Sequence, residues 1–554
     1  MRTVDSIDRA IFQTRFIPDR PCIISGDRIL FINPLELHLG QTCATIKLIN
    51  IKRCPEIDHE HLLKALDGVF GFNDAVLNTG NYDGTLFWFG LRTQPNALSE
   101  NICDANQVYH LMHAFMNEAK RSLIFLKTIC SVQMFASTSG SCDDHSMHTL
   151  CRGLHNPFCS VNIDNERGTL REERKSLLNE VISIGREVPP DNKFWVNRVF
   201  VKSNVLGERC ESQWIVVNFL KGQNVSERFK QLLTDDDICN PHLVGVAACI
   251  SGHSHPGDSS AQGHVFVYQP LPQETSSLTG LPIHINAFFV LDQNRRHIRW
   301  PEADNEDSEN DKKTEWNLRL LSEILPDAYT EVVLNVVDFC KEREHDVRLI
   351  ETLYHAIPDM KTVNKTWISL SLETLNLLWK RPILRTMTGQ WITPEHAVYL
   401  SKSKLKEVTP TVWNHVASVY VEDVDKLVEV SDHVTESFEQ IFPKQLKYLT
   451  PSLMRGILKA YDSYKSKEPK VKSSLYYFLT VDKDIKRLAS LQLLPLQNST
   501  FVAFEQSSQS VFWEDKHVVE TFSNQLERFV SLQMEPSCIS TLDIIRATGL
   551  YFLF

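Results

Sequence analysis

The stretch Gly263–Pro301, GHVFVYQPLPQETSSLTGLPIHINAFFVLDQNRRHIRWP, decides how the rest of this chain is read. It holds two runs rich in β-branched and aromatic residues, HVFVYQPL (His264–Leu271) and IHINAFFVL (Ile283–Leu291), separated by Pro and Gly turn signals. Upstream, KFWVNRVFVKS (Lys193–Ser203) and SQWIVVNFL (Ser212–Leu220) have the same character, so a strand-rich segment is predicted from about 147 to 300. Downstream, Glu302–Asp311 places six acids in ten positions and reads as a solvated linker, or else as an interaction tail. From Thr314 helices take over, beginning with EWNLRLLSEIL (Glu315–Leu325) and YTEVVLNVVDF (Tyr329–Phe339). Strands followed by a run of helices predict an α+β architecture.

The segment before this, to about residue 138, mixes both element types. CIISGDRILFI (Cys22–Ile32) and TLFWFGLR (Thr85–Arg92) are strand-like. Between Val108 and Lys127 the residues Leu111, Met112, Phe115, Leu123 and Leu126 recur at helical spacing, which predicts a helix laying that face on a sheet, with LKTICSVQMF (Leu126–Phe135) as the return strand. The polar run STSGSCDDHS (Ser137–Ser146) suits a boundary.

At 554 residues the chain is too long for one ordinary core. Its 58 Lys and Arg against 69 Asp and Glu give a formal charge of −11, which argues against broad nucleic-acid binding or adhesion to an anionic membrane. No apolar run approaches the roughly 20 residues that a bilayer requires, so no membrane insertion is expected. The N-terminus, MRTVDSIDRA, lacks the pattern of a secretory signal, and the 13 cysteines form no CxxC pair. Reduced cysteines and a cytoplasmic location are the expectation.

Few constellations suggest chemistry. Cys142, His145, His148 and Cys151 supply the soft ligands of a tetrahedral zinc site, but at a spacing that fits neither a ribbon nor a finger, so a polar loop without metal is expected. There is no GxSxG elbow, no HExxH, no phosphate loop and no GxGxxG after a strand. DGVFGFN (Asp67–Asn73) reads as a helix stop and turn rather than a phosphate cradle. In QNRRHIRW (Gln293–Trp300), Arg295, Arg296 and Arg299 stand beside an indole. Guanidinium groups suit phosphates, but a surface turn whose arginines pair with the acidic run just after it is the favoured reading.

Taken together these segments resemble the repeats of the sacsin family. Gly263–Pro301 is similar to that family's pattern of a PLP segment, GLP followed by His-x-Asn, then NRR and a Trp-Pro close. Phe16–Pro34, Gly84–Thr93, Phe125–Phe135, Gly389–Leu400, Leu449–Leu458 and Leu491–Phe504 match in family order and cover nearly the whole chain.

The resemblance implies the C-terminal part of a GHKL (Bergerat-type) sandwich over 1–138, a strand-rich middle domain over 139–301, an acidic linker over 302–313 and a helix-rich region with short strands over 314–554. GHKL proteins bind ATP through a magnesium-ligand Asn, an adenine-binding Asp and a Gly-rich lid. By resemblance those elements precede Phe16–Pro34, and only Thr85 in the GTLF strand is left to seat adenine, with Arg295 and Arg296 reaching toward the terminal phosphate. Magnesium needs oxygen ligands and the triphosphate needs a loop of N–H groups, which these three residues cannot supply alone. This chain is therefore expected to be no enzyme and to hold no cofactor, with ATP and magnesium entering only alongside the missing segment. Its implied role is that of a co-chaperone fragment with non-native clients and the seventy-kilodalton heat-shock chaperones as partners. A GHKL ATPase competent only in a longer form and a non-catalytic scaffold are the alternatives.

Overall fold

The computed structural model describes residues 22–32, 43–53, 66, 69–88, 105–135, 157–238, 240–252, 263–271, 278–301, 311–343, 346–400, 405–420, 424–482, 484–488, 490–503 and 516–531. The chain is a mixed α+β protein that divides into two compact units, Met1–Ser176 with Val199–Gln213, and Leu177–Arg198 with Trp214–Phe554.

In the first unit β1 (Cys22–Gly26) and β2 (Arg28–Ile32) form a hairpin, so CIISGDRILFI is two strands about a turn. β3 (Cys43–Lys47) and β4 (Tyr82–Trp88) complete an antiparallel sheet in the order β3-β2-β1-β4. Cys22 and Ile24 alternate inward and meet Leu48, Ile51, Phe72 and Leu77 in a small core. The turn after Val69 leads to Asn73, whose side-chain oxygen accepts the Val76 N–H at 3.2 Å and caps the short helix α1 (Asp74–Thr79). A longer helix, α2 (Ala105–Ser122), follows. β5 (Ser131–Met134), β6 (Cys159–Asn165) and the distal halves of two 13-residue strands, β7 (Lys193–Val205) and β8 (Glu208–Leu220), lie side by side in this unit.

In the second unit the sheet runs β7-β8-β9-β12-β10-β11, with β9 (Val244–Ser251), β10 (Val265–Val267), β11 (Gln269–Pro270) and β12 (His284–Ala287). HVFVYQPL is thus not one strand: Tyr268 has φ 62°, and the chain folds back on itself there. The helix α3 (Leu170–Ile184) begins in the first unit, and α4 (Glu227–Thr234) and α5 (Lys312–Arg319) follow in the second. After α5 the ladder widens into a π turn at Leu320–Ile324 and resumes as α6 (Leu325–Glu342). The cause is Pro326, which has no N–H to donate; the Leu325 N–H reaches Leu320 O instead. Lys221 Nζ takes up the Glu323 carbonyl at 2.6 Å and pairs with Asp327 at 2.7 Å.

Helix α6 packs on β9, whose residues Val244–Ala248 are all buried. One hydrophobic core runs from Ile215 in the sheet through Trp316, Tyr329 and Phe339 to Leu446, and a second cluster gathers Trp413, Met454, Phe478 and Leu493. The later part of the unit is helical, with two- to four-residue strands between the helices, such as Leu384–Arg385 paired with Trp391–Ile392 and Gln492–Pro495 with Phe501–Ala503. Among the described residues no helix is long and apolar enough to cross a membrane.

His242 ties this core to pH. It is 1% exposed, and its Nε2 sits 3.0 Å from Lys221 O; a carbonyl only accepts, so Nε2 carries the proton. Nδ1 has no partner among the described residues. Burial pushes the imidazole pKa below its ordinary 6.5, against the smaller opposite effect of the Lys221 carbonyl. The unfolded chain therefore binds the proton more readily, and stability is full above about pH 6.5 and falls as pH drops below it. Urea midpoints should decline between pH 7.5 and 5.5, and His242→Gln should flatten that decline. An unchanged pH slope in His242→Gln would show that other groups cause it.

Candidate functional site

The described residues of the Gly263–Pro301 stretch hold one another. Gly263 donates its N–H to Leu281 O at 2.7 Å, and a Cβ there would fall 1.8 Å from Ile283 O. Gly280 adopts φ +69° and lies against Thr362, whose hydroxyl donates to Gly280 O at 3.0 Å. His284 Nδ1 accepts the His264 N–H at 3.1 Å, and its ring stacks on Trp214 at 4.8 Å. Asn286 Oδ1 accepts the Tyr268 N–H at 2.7 Å, steadying the left-handed turn. His264, His284 and Asn286 are all under 5% exposed. The His-x-Asn pair fixes backbone rather than facing solvent.

The end of the stretch is clasped by α5. Asn317, fully buried, accepts the Val290 N–H at 2.8 Å and donates to Val290 O at 2.8 Å and Arg299 O at 2.9 Å. Trp316 Nε1 donates to Phe288 O at 2.9 Å. Arg295 and Arg296 stand exposed at the tip of the intervening turn, Arg295 with φ 55° and the Arg296 N–H on Asp292 Oδ1 at 3.0 Å. Arg299 pairs with Asp311, the last acid of the run, at 2.6 Å. Burial alone would raise the Asp311 carboxyl, but bonds from Thr314 and the Lys313 N–H, with Arg299 beside it, hold it below the usual carboxylate range.

Thr85 lies in the first unit, exposed on β4, with its hydroxyl 2.9 Å from that of Ser25 on β1. The three nucleotide candidates thus fall in different units, Thr85 in one and Arg295 and Arg296 in the other. Cys142, His145, His148 and Cys151 lie outside the described residues. Among the described residues no group of three or more His, Cys, Asp or Glu is placed to hold a metal ion.

The family profile described as Sacsin domain matches residues 14–149, which fall within the first unit and do not include Gly263–Pro301. Sacsin of Homo sapiens is 25% identical over 547 aligned residues, covering 95% of this chain. The chain is sacsin-like. It spans 11% of the length of human sacsin.

One surface of the sacsin-like chain was misread from its sequence. Leu111, Met112, Phe115, Leu123 and Leu126 were expected to form one helix face packed on a sheet, and of these Leu123 is buried. Leu111, Met112 and Phe115 instead are 52%, 44% and 41% exposed, as is the neighbouring Tyr109 at 45%. Burial falls further along, on Met116 and Ala119 in the last turns of α2 and on Leu123 just beyond it. Helical periodicity tells which side is apolar, not how far along the helix that side is covered. Arg174 closes the covered end by donating to Leu123 O at 2.9 Å and Ile124 O at 2.8 Å, the carbonyls beyond the helix C-terminus.

Proposed function

We propose that this chain is a non-catalytic part of a sacsin-like co-chaperone that binds exposed apolar segments of non-native proteins. The observation that carries the reading is the uncovered half of the α2 stripe. Four large apolar side chains stand open on one helix, a surface that a folded protein seldom leaves to water without a use. Similarity to sacsin along the chain is in keeping with this reading, and a net charge of −11 is poor for nucleic acid and leaves protein partners as the better fit. Seventy-kilodalton heat-shock chaperones are the natural partners to receive such clients.

In this reading the four-stranded sheet of β1 to β4 is what the chain has of a GHKL sandwich, and it does not bind ATP by itself. The Thr85 hydroxyl is already engaged with Ser25, and no metal-binding cluster stands near it among the described residues. An ATPase confined to a longer protein remains the second reading, because GHKL chemistry needs elements beyond these strands.

The test is suppression of heat-induced aggregation of citrate synthase by the full 554-residue chain. Stoichiometric chain should at least halve the light scattering, equally with and without ATP and magnesium. The triple substitution Leu111→Ser, Met112→Ser and Phe115→Ser should abolish most of that suppression while leaving circular dichroism unchanged, since all three side chains are about half exposed. Undiminished suppression by the triple variant would remove the assignment of this helix. Absence of suppression by the parent chain would favour a scaffold.

A further inference from the structure

The open half of helix α2 is uncharged as well as apolar. From Asn106 to Phe115 every residue but the half-buried Val108 is exposed among the described residues. Those turns carry no Asp, Glu, Lys or Arg; the first charged residue of the helix is Glu118, at the end where Met116 and Ala119 are buried. A helix side left to water ordinarily carries charge, and this one carries none. Helical spacing sets Leu111 and Phe115 in one i, i+4 row and Val108, Met112 and Met116 in the next. Two such rows leave a groove between them, over a rise of about 10 Å from Val108 to Phe115. Tyr109 stands beside the second row, its ring 6.3 Å from that of Phe158.

Backbone chemistry then chooses between kinds of client. Inside a helix each N–H and C=O is already bonded along the helix, so the flank of α2 offers an extended peptide no ladder to join. An extended segment lying there would have its own backbone groups shut away from water without partners. A client segment that is itself helical brings its backbone satisfied. It needs only apolar side chains at i, i+3, i+4 and i+7 to enter the groove.

We infer that the open face of α2 takes amphipathic helical segments of non-native proteins and passes over extended, strand-forming ones. This class rests on the client-binding reading above and narrows it. With no charge on these turns, the contact should also be nearly insensitive to salt.

Two fluorescein-labelled 14-residue peptides of identical composition and zero net charge test it, by anisotropy with the full chain. One places its Leu residues at i, i+3, i+4 and i+7, and its isomer alternates them with polar residues. The helix-patterned peptide should bind at least tenfold more tightly, with Kd changing less than twofold between 50 and 500 mM NaCl. A Pro at its centre, which breaks a helix, should remove that binding. Leu111→Ala, Met112→Ala and Phe115→Ala together strip the rows without lowering helix propensity, and should weaken binding at least tenfold. Equal or tighter binding of the alternating isomer or of the Pro-broken peptide would overturn the helical class and leave client binding standing. Undiminished binding to the alanine variant would overturn the site. Failure of both peptides to bind while citrate synthase stays protected would overturn the helical class alone; with protection also lost, the client reading falls too. A dimer of the chain that the alanine variant dissolves and that excludes the peptide would give this face to a second copy instead.

Discussion

Asp482→Ala is expected to lower the stability of the second unit by about 3–5 kcal/mol, the cost of leaving a buried charge without its partner. Arg455 is 3% exposed on helix Pro451–Ala460, donates to Leu479 O and Asp482 Oδ1 at 2.9 and 2.8 Å, and makes a second bond to the other Asp482 oxygen. Burial alone would push the Asp482 carboxyl up, and the guanidinium with backbone N–H groups overcomes this and holds it below its usual range. That part of the stability is present above about pH 3.8 and lost as pH falls through the lower folded value. Asp484, 3.8 Å from the guanidinium, offsets little at that distance. Replacing both partners, Arg455→Met with Asp482→Ala, should recover most of the loss, since no charge is then stranded. Urea denaturation followed by tryptophan fluorescence separates the cases, and a double variant as unstable as Asp482→Ala would refute the stranded-charge account.

The second large effect is expected at Gly263. An alanine there would put Cβ 1.8 Å from Ile283 O and 2.6 Å from Leu281 O, both backbone atoms that cannot swing aside. The loop must move, at a cost of about 3 kcal/mol or more. Gly456, also without a positive φ, is the control: it lies exposed in a helix, and nothing stands within 4 Å of its would-be Cβ. Gly456→Ala should stabilise by about 0.5–1 kcal/mol. Comparable midpoints for the two variants would mean that the crowding at Gly263 is relieved at no cost.

These contrasts mark what was legible in the sequence. Lys193–Ser203 and Ser212–Leu220 announced themselves as strands because β-branched and aromatic residues crowd there, and both lie within the long strands observed. The helices from Glu315 onward were equally plain, but the π turn between them was not, because its cause combines Pro326 with a lysine about a hundred residues upstream. Tyr268 hid the break between β10 and β11, since a tyrosine gives no sign of φ 62° until Asn286 is seen holding its N–H. For the candidate site, the resemblance at Gly263–Pro301 marked a true centre of order, yet the buried His264, His284 and Asn286 serve the backbone. The open α2 stripe depends on what lies across from its side chains, and no window of sequence contains that.

The core that runs from Ile215 to Leu446 has a consequence for modularity. Trp316 donates to Phe288 O, Asn317 holds Val290 and Arg299, and Gly280 rests on Thr362, so sheet and helices are sewn together on both sides of the acidic run. Recombination at that run would part halves that share one interior. A piece starting at Thr314 would bare Trp316, Leu320, Tyr329 and Val333 to water. Such a piece would cling to denatured proteins through its own torn face, and that stickiness would imitate a chaperone.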